Sequence, residues 1–253
     1  MPSMYLYIVD RRYGSDRVVR YESCVFKEGD YVRYNDVEIV VLGQQIAFPE
    51  RVTYRRTEEI PASCLVEKNL IGTQALALLH RFVNERFTTY KNALPLFLGV
   101  SILQLLIRKK KAKRTLQFSK IHVQEGNVIV SEEQDAGQQL IVCPDLRTVY
   151  QRIPSVIMEG KQSVLLHGQT TEKQKAEAFR WIKYGSITTV VCTYSQLFQD
   201  RDNLTHIVLL DQHTRRYKNQ QDPRYYVPTV IDEMARLYNA SVKKTGIYAL
   251  ERE

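Results

Sequence analysis

The sequence has 253 residues, 36 Lys/Arg against 28 Asp/Glu, a formal net charge of +8 and 44% hydrophobic residues. That is enough apolar chain for one large or two small globular domains, and only 11 Gly and 8 Pro exclude a low-complexity or collagen-like chain. Cys24, Cys64, Cys143 and Cys192 lie far apart with no Cys-x-x-Cys pair, which excludes a zinc ribbon and argues against a disulfide framework; a reduced, cytoplasmic setting fits.

From the N-terminus, Met1–Tyr5 lacks a basic-then-apolar leader pattern. Tyr5–Val9, Arg17–Tyr21, Asp30–Tyr34 and Glu38–Leu42 are short Tyr/Val/Ile-rich runs that predict strands, separated by turn-like pieces such as Tyr13–Asp16 and Lys27–Asp30. Tyr31–Tyr34 shows no strict alternation, so its buried face is not marked. Leu76, Leu79, Val83 and Phe87 then recur at helical spacing, with Thr73 placed to cap a helix that ends near Tyr90. His80 beside that stripe reads as a core histidine rather than a ligand. Small β-structure with one helix is the composition of a binding module, residues 1–107.

Leu94–Ile107 is apolar but shorter than the roughly 20 residues that span a bilayer, and Pro95, Gly99 and Gln104 interrupt it. It reads as a core segment, without stable membrane insertion. Next comes a basic knot, Arg108, Lys109, Lys110, Lys111, Lys113 and Arg114, within a linker over 108–138. The halves on either side are each nearly neutral. Such a knot suits a polyanion through counterion release, and equally a solvated linker.

Residues 139–253 predict a parallel α/β domain. Leu140–Cys143, Ser163–Leu166, Thr188–Cys192 and His206–Leu210 are continuous apolar runs of the kind found in strands buried on both faces. Thr171-Glu172-Lys173-Gln174 is a capping box that opens a helix with Ala176, Phe179 and Ile182 on one face, stopped near Gly185. A further helix follows Pro228, with Val230, Met234, Leu237 and Tyr238 in one stripe. Ligands of such sheets meet the carboxyl ends of the strands, which here carry Pro144-Asp145, His167-Gly168, Thr193–Ser195 and Asp211–His213.

Leu140–Asp145, Val164–Gly168, Arg180–Gly185, Val190–Phe198, Asn203–Asp211 and Tyr217–Tyr225 stand in an order and spacing that resemble the first motor lobe of the PriA (primosomal protein N′) replication-restart helicases. The family pattern is a proline-ending strand, Leu-His-Ser-Gly, a helix ending in Gly, Gly-Thr-Arg-Ser-Ala-Leu-Phe, Asp-Glu-Glu-His and a Ser-Tyr-Lys-Gln…Arg-Tyr-His stretch. The likeness covers about residues 139–240 and implies an incomplete RecA-like lobe over 139–253. More weakly, residues 1–107 are similar to that family's module for the 3′ end of a DNA strand.

The departures bear on function. No Gly-x-x-x-x-Gly-Lys-[Ser/Thr] loop occurs; Gly160–Ser163 is a near miss that precedes a strand instead of a helix. The acid box has become Asp211, Gln212 and His213, leaving no second carboxylate to orient a water. The second lobe and the family's zinc-binding cysteines have no counterpart here. The resemblance therefore implies a protein without ATPase or helicase activity, cofactor or metal, in which DNA binding survives. The family's single-strand-contacting loop falls on Arg215–Tyr226, where Arg215, Arg216, Tyr217, Lys218, Arg224 and Tyr225 offer cations and stacking faces; the bland alternative is a surface loop whose tyrosines pack on the next helix. In the N-terminal module the family's Phe-Asp-Tyr, whose acid helps read the terminal nucleotide, falls on Val19-Arg20-Tyr21; the change to Arg20 leaves recognition of a 3′ hydroxyl an open question and still allows contact with a phosphate.

The expected function is thus non-catalytic recognition of forked or single-stranded DNA in replication restart or repair. Two alternatives stand beside it. One is an interaction scaffold whose inactive lobe docks a replication or repair protein. The other is an enzyme using Asp211, His213 and His167 at one strand edge.

Overall fold

A computed structural model of the chain describes residues 3–9, 17–22, 25–46, 54–57, 59–86, 88–98, 120–124, 127–131, 137–154, 157, 162–184, 187–201 and 203–246. The chain divides into two compact units, Met1–Lys109 and Lys110–Glu253. The first holds an antiparallel-dominated sheet with helices, the second a parallel sheet with helices. No described helix is long and apolar enough to cross a membrane.

In the first unit, β1 (Met4–Val9), β2 (Arg17–Tyr21), β3 (Tyr31–Tyr34) and β4 (Val37–Gly43) fall on the Tyr/Val/Ile runs. Two three-residue strands, β5 (Tyr54–Arg56) and β6 (Leu65–Glu67), complete a sheet of order β5-β2-β1-β4-β3-β6. All pairings are antiparallel except β2 with β5. Asn35 and Asp36, both at positive φ, make the two-residue turn between β3 and β4, whose twist matches that of the strands. Leu6, Ile8, Val19, Tyr21, Val32, Ile39 and Val41 line one face, closed by Phe26 and Ile60. The alternate residues Tyr7, Val18, Tyr31, Val40 and Leu42 are buried too. Because both faces are covered, apolar and polar positions do not alternate in the sequence.

The segment expected as one helix is two. α1 (Thr73–Arg86) buries Leu76, Leu79, Phe82 and Val83, and α2 (Tyr90–Phe97) buries Tyr90, Leu94 and Phe97. The break precedes α2, where Thr89 takes the extended conformation of an N-cap. Thr73 is the first helical residue and not the cap; the Gly72 carbonyl accepts the first helical bond from Leu76. His80 is a core histidine. Its Nε2 donates to the Leu42 carbonyl at 2.9 Å, which leaves Nδ1 to accept the Tyr90 hydroxyl at 2.5 Å. The apolar run at 94–107 starts in the core with Leu94, Phe97 and Leu98, and beyond Leu98 it lies outside the described residues.

In the second unit, the stretch read as linker holds a hairpin of β7 (Lys120–Gln124) and β8 (Asn127–Ser131). The knot Arg108–Arg114 lies outside the described residues. The main sheet is five-stranded and wholly parallel: β9 (Gln138–Cys143), β10 (Ser163–Leu166), β11 (Thr189–Thr193), β12 (Leu204–Leu209) and β15 (Ser241–Lys244), in the order β10-β11-β9-β12-β15. A short antiparallel pair, β13 (Lys218–Asn219) with β14 (Tyr225–Tyr226), projects after β12. All of β9 and β11 is buried, which is why these strands read as unbroken apolar runs.

Among the described residues, three helices of seven residues or more connect the strands of the main sheet. α3 (Leu146–Arg152) packs Val149, with Ile153 just beyond it, on Ile141, Cys143, Val191 and Val208. α4 (Glu172–Lys183) opens on the expected capping box, with Thr171 and Gln174 satisfying each other's amides. α5 (Val227–Tyr238) takes Pro228 in its first turn and packs on β12. The chain starts in mid-sheet at β9, moves out to β10, returns through β11, and then crosses to β12 and β15. Connections from β9 and β12 thus leave toward opposite edges, so the topological switch point lies between their carboxyl ends.

Candidate functional site

The carboxyl ends of β9 and β12 are where a sheet of this topology offers a crevice. β9 stops at Pro144. Asp145 then takes extended backbone as N-cap of α3, its Oδ1 accepting the Thr148 amide at 2.8 Å. On the neighbouring strand, Leu210 leads into a turn in which Asp211 has φ 53°. That left-handed conformation is uncommon for a residue with a Cβ, although Asp tolerates it better than most. The Asp211 carbonyl accepts the Thr214 amide at 3.0 Å, and the Thr214 hydroxyl accepts the Arg216 amide, opening a single 3-10 turn over Arg215–Tyr217.

Both carboxylates of the crevice are already engaged. Arg152, at the end of α3, meets Asp211 Oδ1 at 3.0 Å. Arg216, from the 3-10 turn, pairs with Asp145 Oδ2. Between them Tyr217 is fully buried, and its O–H is shared by the carbonyl oxygens of Leu210 (2.5 Å) and Val142 (3.1 Å). Those carbonyls lie at the ends of adjacent strands; Val142's also accepts the Leu210 amide, so the hydroxyl is a second donor to it. Burial drives the Tyr217 hydroxyl far above its ordinary pKa, so it stays a donor. The crevice is filled by the chain's own side chains.

The altered acid box takes three different environments. Asp211 is buried and ion-paired. Gln212 is half-buried, its amide donating to the Thr245 carbonyl and its own carbonyl accepting the Tyr226 hydroxyl at 3.2 Å. His213 is exposed, with Cδ2 lying 3.1 Å from where a Cβ on Gly246 would be. His167 follows the edge strand β10, three strand spacings or roughly 14 Å from β12. The structure does not bring it to Asp211. Among the described residues no three His, Cys, Asp or Glu side chains converge as metal ligands.

Tyr217 and Tyr225, two of the residues expected to stack on bases, are buried in this structure. Tyr217 caps strand ends, and Tyr225, also buried, sits edge-on to Phe198 with ring centroids 5.1 Å apart. Neither offers a face to a nucleotide in this conformation. The cations of the same segment point outward: Arg215, Arg216, Lys218 and Arg224 are all exposed. The β13–β14 pair holds the segment in shape, with Asn219 Nδ2 donating to the Pro223 carbonyl at 2.9 Å. Arg20, in the first unit, is half-buried on β2 and donates to Ser3 Oγ at 3.1 Å.

Two residues on the same edge carried no signal in the charge pattern. Arg147 and Tyr150 are exposed on α3, beside the clamped Asp145 and Arg152. At the opposite end of the sheet Lys183 and Asp200 form a buried ion pair, supported by the Tyr238 hydroxyl at 3.3 Å from Asp200 Oδ1. Neither a protein-family model nor a curated protein matches the sequence.

Proposed function

We propose that this chain is a non-catalytic, cytoplasmic DNA-binding protein of PriA-like descent that recognises forked or single-stranded DNA in replication restart or repair. Its second unit is read as an incomplete RecA-like lobe. The observation that carries the reading is the state of the switch-point crevice. Asp145 and Asp211 are spent on Arg216 and Arg152, and Tyr217 fills the space between the strand ends. A crevice so occupied has no free carboxylate to orient a water. Arg215, Lys218 and Arg224 stand outside it, exposed, with no carboxylate of a described residue within ion-pair distance. Fixed cations on an ordered turn and hairpin suit phosphate contact, which positions a nucleic acid without reading its sequence.

Fluorescence anisotropy of the whole protein on labelled forked, single-stranded and duplex DNA at two salt concentrations tests this. Binding should weaken with salt. Changing Arg215, Lys218 and Arg224 together to Gln should flatten the single-strand salt slope by about 0.7 per lost phosphate contact. Absence of binding at low salt overturns the reading, and so does ATP turnover that Asp211→Asn abolishes. A second reading, a scaffold that docks a replication protein, draws on Trp181 in the last turn of α4 and Tyr184 just after it, which are 45% and 56% exposed.

A further inference from the structure

Resting on the DNA-binding reading, the stacking surface of this protein can be relocated. Tyr217 and Tyr225 are buried, and the third tyrosine of the arginine-rich segment, Tyr226, is half-buried with its hydroxyl donated to the Gln212 carbonyl. The most exposed large hydrophobic side chain among the described residues is Tyr150, at 65%. It stands one turn after Arg147 on the outward side of α3, while Val149 faces the sheet. Neither Tyr150 nor Arg147 makes a hydrogen bond or ion pair to another described residue. An exposed ring one helical turn from an exposed guanidinium offers a stacking face and a cation side by side.

α3 is held beside the arginine turn at both of its ends. Arg216 reaches its N-cap, Asp145, and Arg152 at its last turn reaches Asp211. These two pairs hold α3, which carries Arg147 and Tyr150, beside the turn that carries Arg215 and leads into the short hairpin of Lys218. Across residues 145–152 and 211–226 there are six Lys/Arg against three Asp. With the two pairs neutralised, four exposed cations remain against Asp222. That is a net positive surface with one exposed aromatic ring in it, the combination that binds a single strand by pairing phosphates and stacking a base.

We propose that Tyr150 and Arg147 form the base-stacking element of a single-strand site, with Arg215, Lys218 and Arg224 contacting its phosphates. Tyr150 takes the base on its ring, and Arg147 takes the adjoining phosphate or the far face of the same base. A duplex, whose bases are already stacked, gains nothing from Tyr150.

The test uses the whole protein and three probes: an oligo-dT strand, an abasic strand of equal length, and a duplex. Tyr150→Ala should weaken oligo-dT binding about 5- to 150-fold and leave abasic-strand and duplex binding unchanged, while Tyr150→Phe keeps wild-type affinity. Tyr150 is exposed, so thermal melts of both variants should overlay the wild type. Oligo-dT binding by Tyr150→Ala at wild-type strength overturns the stacking role and leaves the phosphate-contact reading standing. An equal loss on the abasic strand overturns it as well, since no base is there to stack. Failure of the wild type to bind any of the probes overturns both readings together.

Discussion

Replacing Tyr217 by Phe removes one oxygen atom and nothing else, and the structure fixes what that should cost. The hydroxyl lies in a fully buried side chain and donates to the Leu210 carbonyl; the Val142 carbonyl, which it also reaches, accepts the Leu210 amide at 3.0 Å as well. Val142 therefore keeps a donor and Leu210 loses one. A net hydrogen bond of about 1 kcal/mol and a buried acceptor left unpaired give a destabilisation of about 1–3 kcal/mol. Trp181 is the only tryptophan of the chain and lies on α4, in the same unit as Tyr217. Its fluorescence during urea unfolding reports on the unit that carries the change. With m near 2 kcal/mol/M, the midpoint should fall by roughly 0.5–1.5 M and the slope should not change. DNA affinity of the folded variant should equal that of the wild type, because no base touches this ring. A Phe variant with the wild-type midpoint would refute the strand-capping role, and one with normal stability but weakened single-strand binding would return Tyr217 to the DNA surface.

Two further outcomes follow from buried groups. Lys183→Met leaves the 1%-exposed Asp200 carboxylate without its ammonium and should cost about 3–5 kcal/mol, with the nearby buried Arg201 favouring the lower end; Lys183→Met combined with Asp200→Leu should recover most of the loss, and a single variant that melts with the wild type contradicts the pair's importance. Burial raises the Cys143 thiol strongly and pushes Cys192 up to about 12. The native state therefore keeps protons that unfolded thiols release near pH 8.5, so this contribution is intact below about pH 8.5 and is lost as pH rises toward the native value. Iodoacetamide at about pH 8 should label Cys143 and Cys192 only in denaturant, as read by mass spectrometry of the peptides, and rapid labelling of either in native protein would contradict their burial.

How far the sequence could be read depended on how many independent cues each element carried. β9, β11 and β12 announce themselves because each carries a run of three or more consecutive buried apolar residues, Leu140–Cys143, Val190–Cys192 and Ile207–Leu209. α4 has a capping box and α5 a proline in its first turn. α3 has seven residues and buries one of them, Val149, too few to establish a period. β5 and β6 have three residues each, and β15 is Ser-Val-Lys-Lys at a sheet edge, so composition cannot mark them. The first unit's sheet hides its alternation because tyrosines and aliphatics fill both faces.

The site was legible in its residue types and not in its pairings. Asp145, Asp211, Arg215, Arg216 and Tyr217 all drew attention from sequence, but what each would touch was not written there. A carboxylate at a strand end reads the same whether it awaits a ligand or an arginine, and the arginines that engage these two come from segments far off in the chain. Tyr217 shows the ambiguity most sharply. Tyrosine between arginines fits a stacking surface, yet it also fits a buried ring whose hydroxyl finishes two strands, and only the position of the Leu210 and Val142 carbonyls decides between them.

Asp211 sits where the two ion pairs and the outer cations meet in the chain. It takes a left-handed backbone conformation at the end of a central strand, one that Asp adopts more readily than most residues. Its carboxylate is spent on Arg152, and the turn it begins delivers Arg216 to Asp145 and Tyr217 to the strand ends. The same turn leaves Arg215 outside, followed at once by Lys218 on a short ordered hairpin. A crevice closed by two arginine–carboxylate pairs and a tyrosine is thus also the scaffold that fixes the outer cations in place. In the proposed function the residues that fill the crevice have exchanged chemistry for positioning, and the surface they position is the one a nucleic acid would meet.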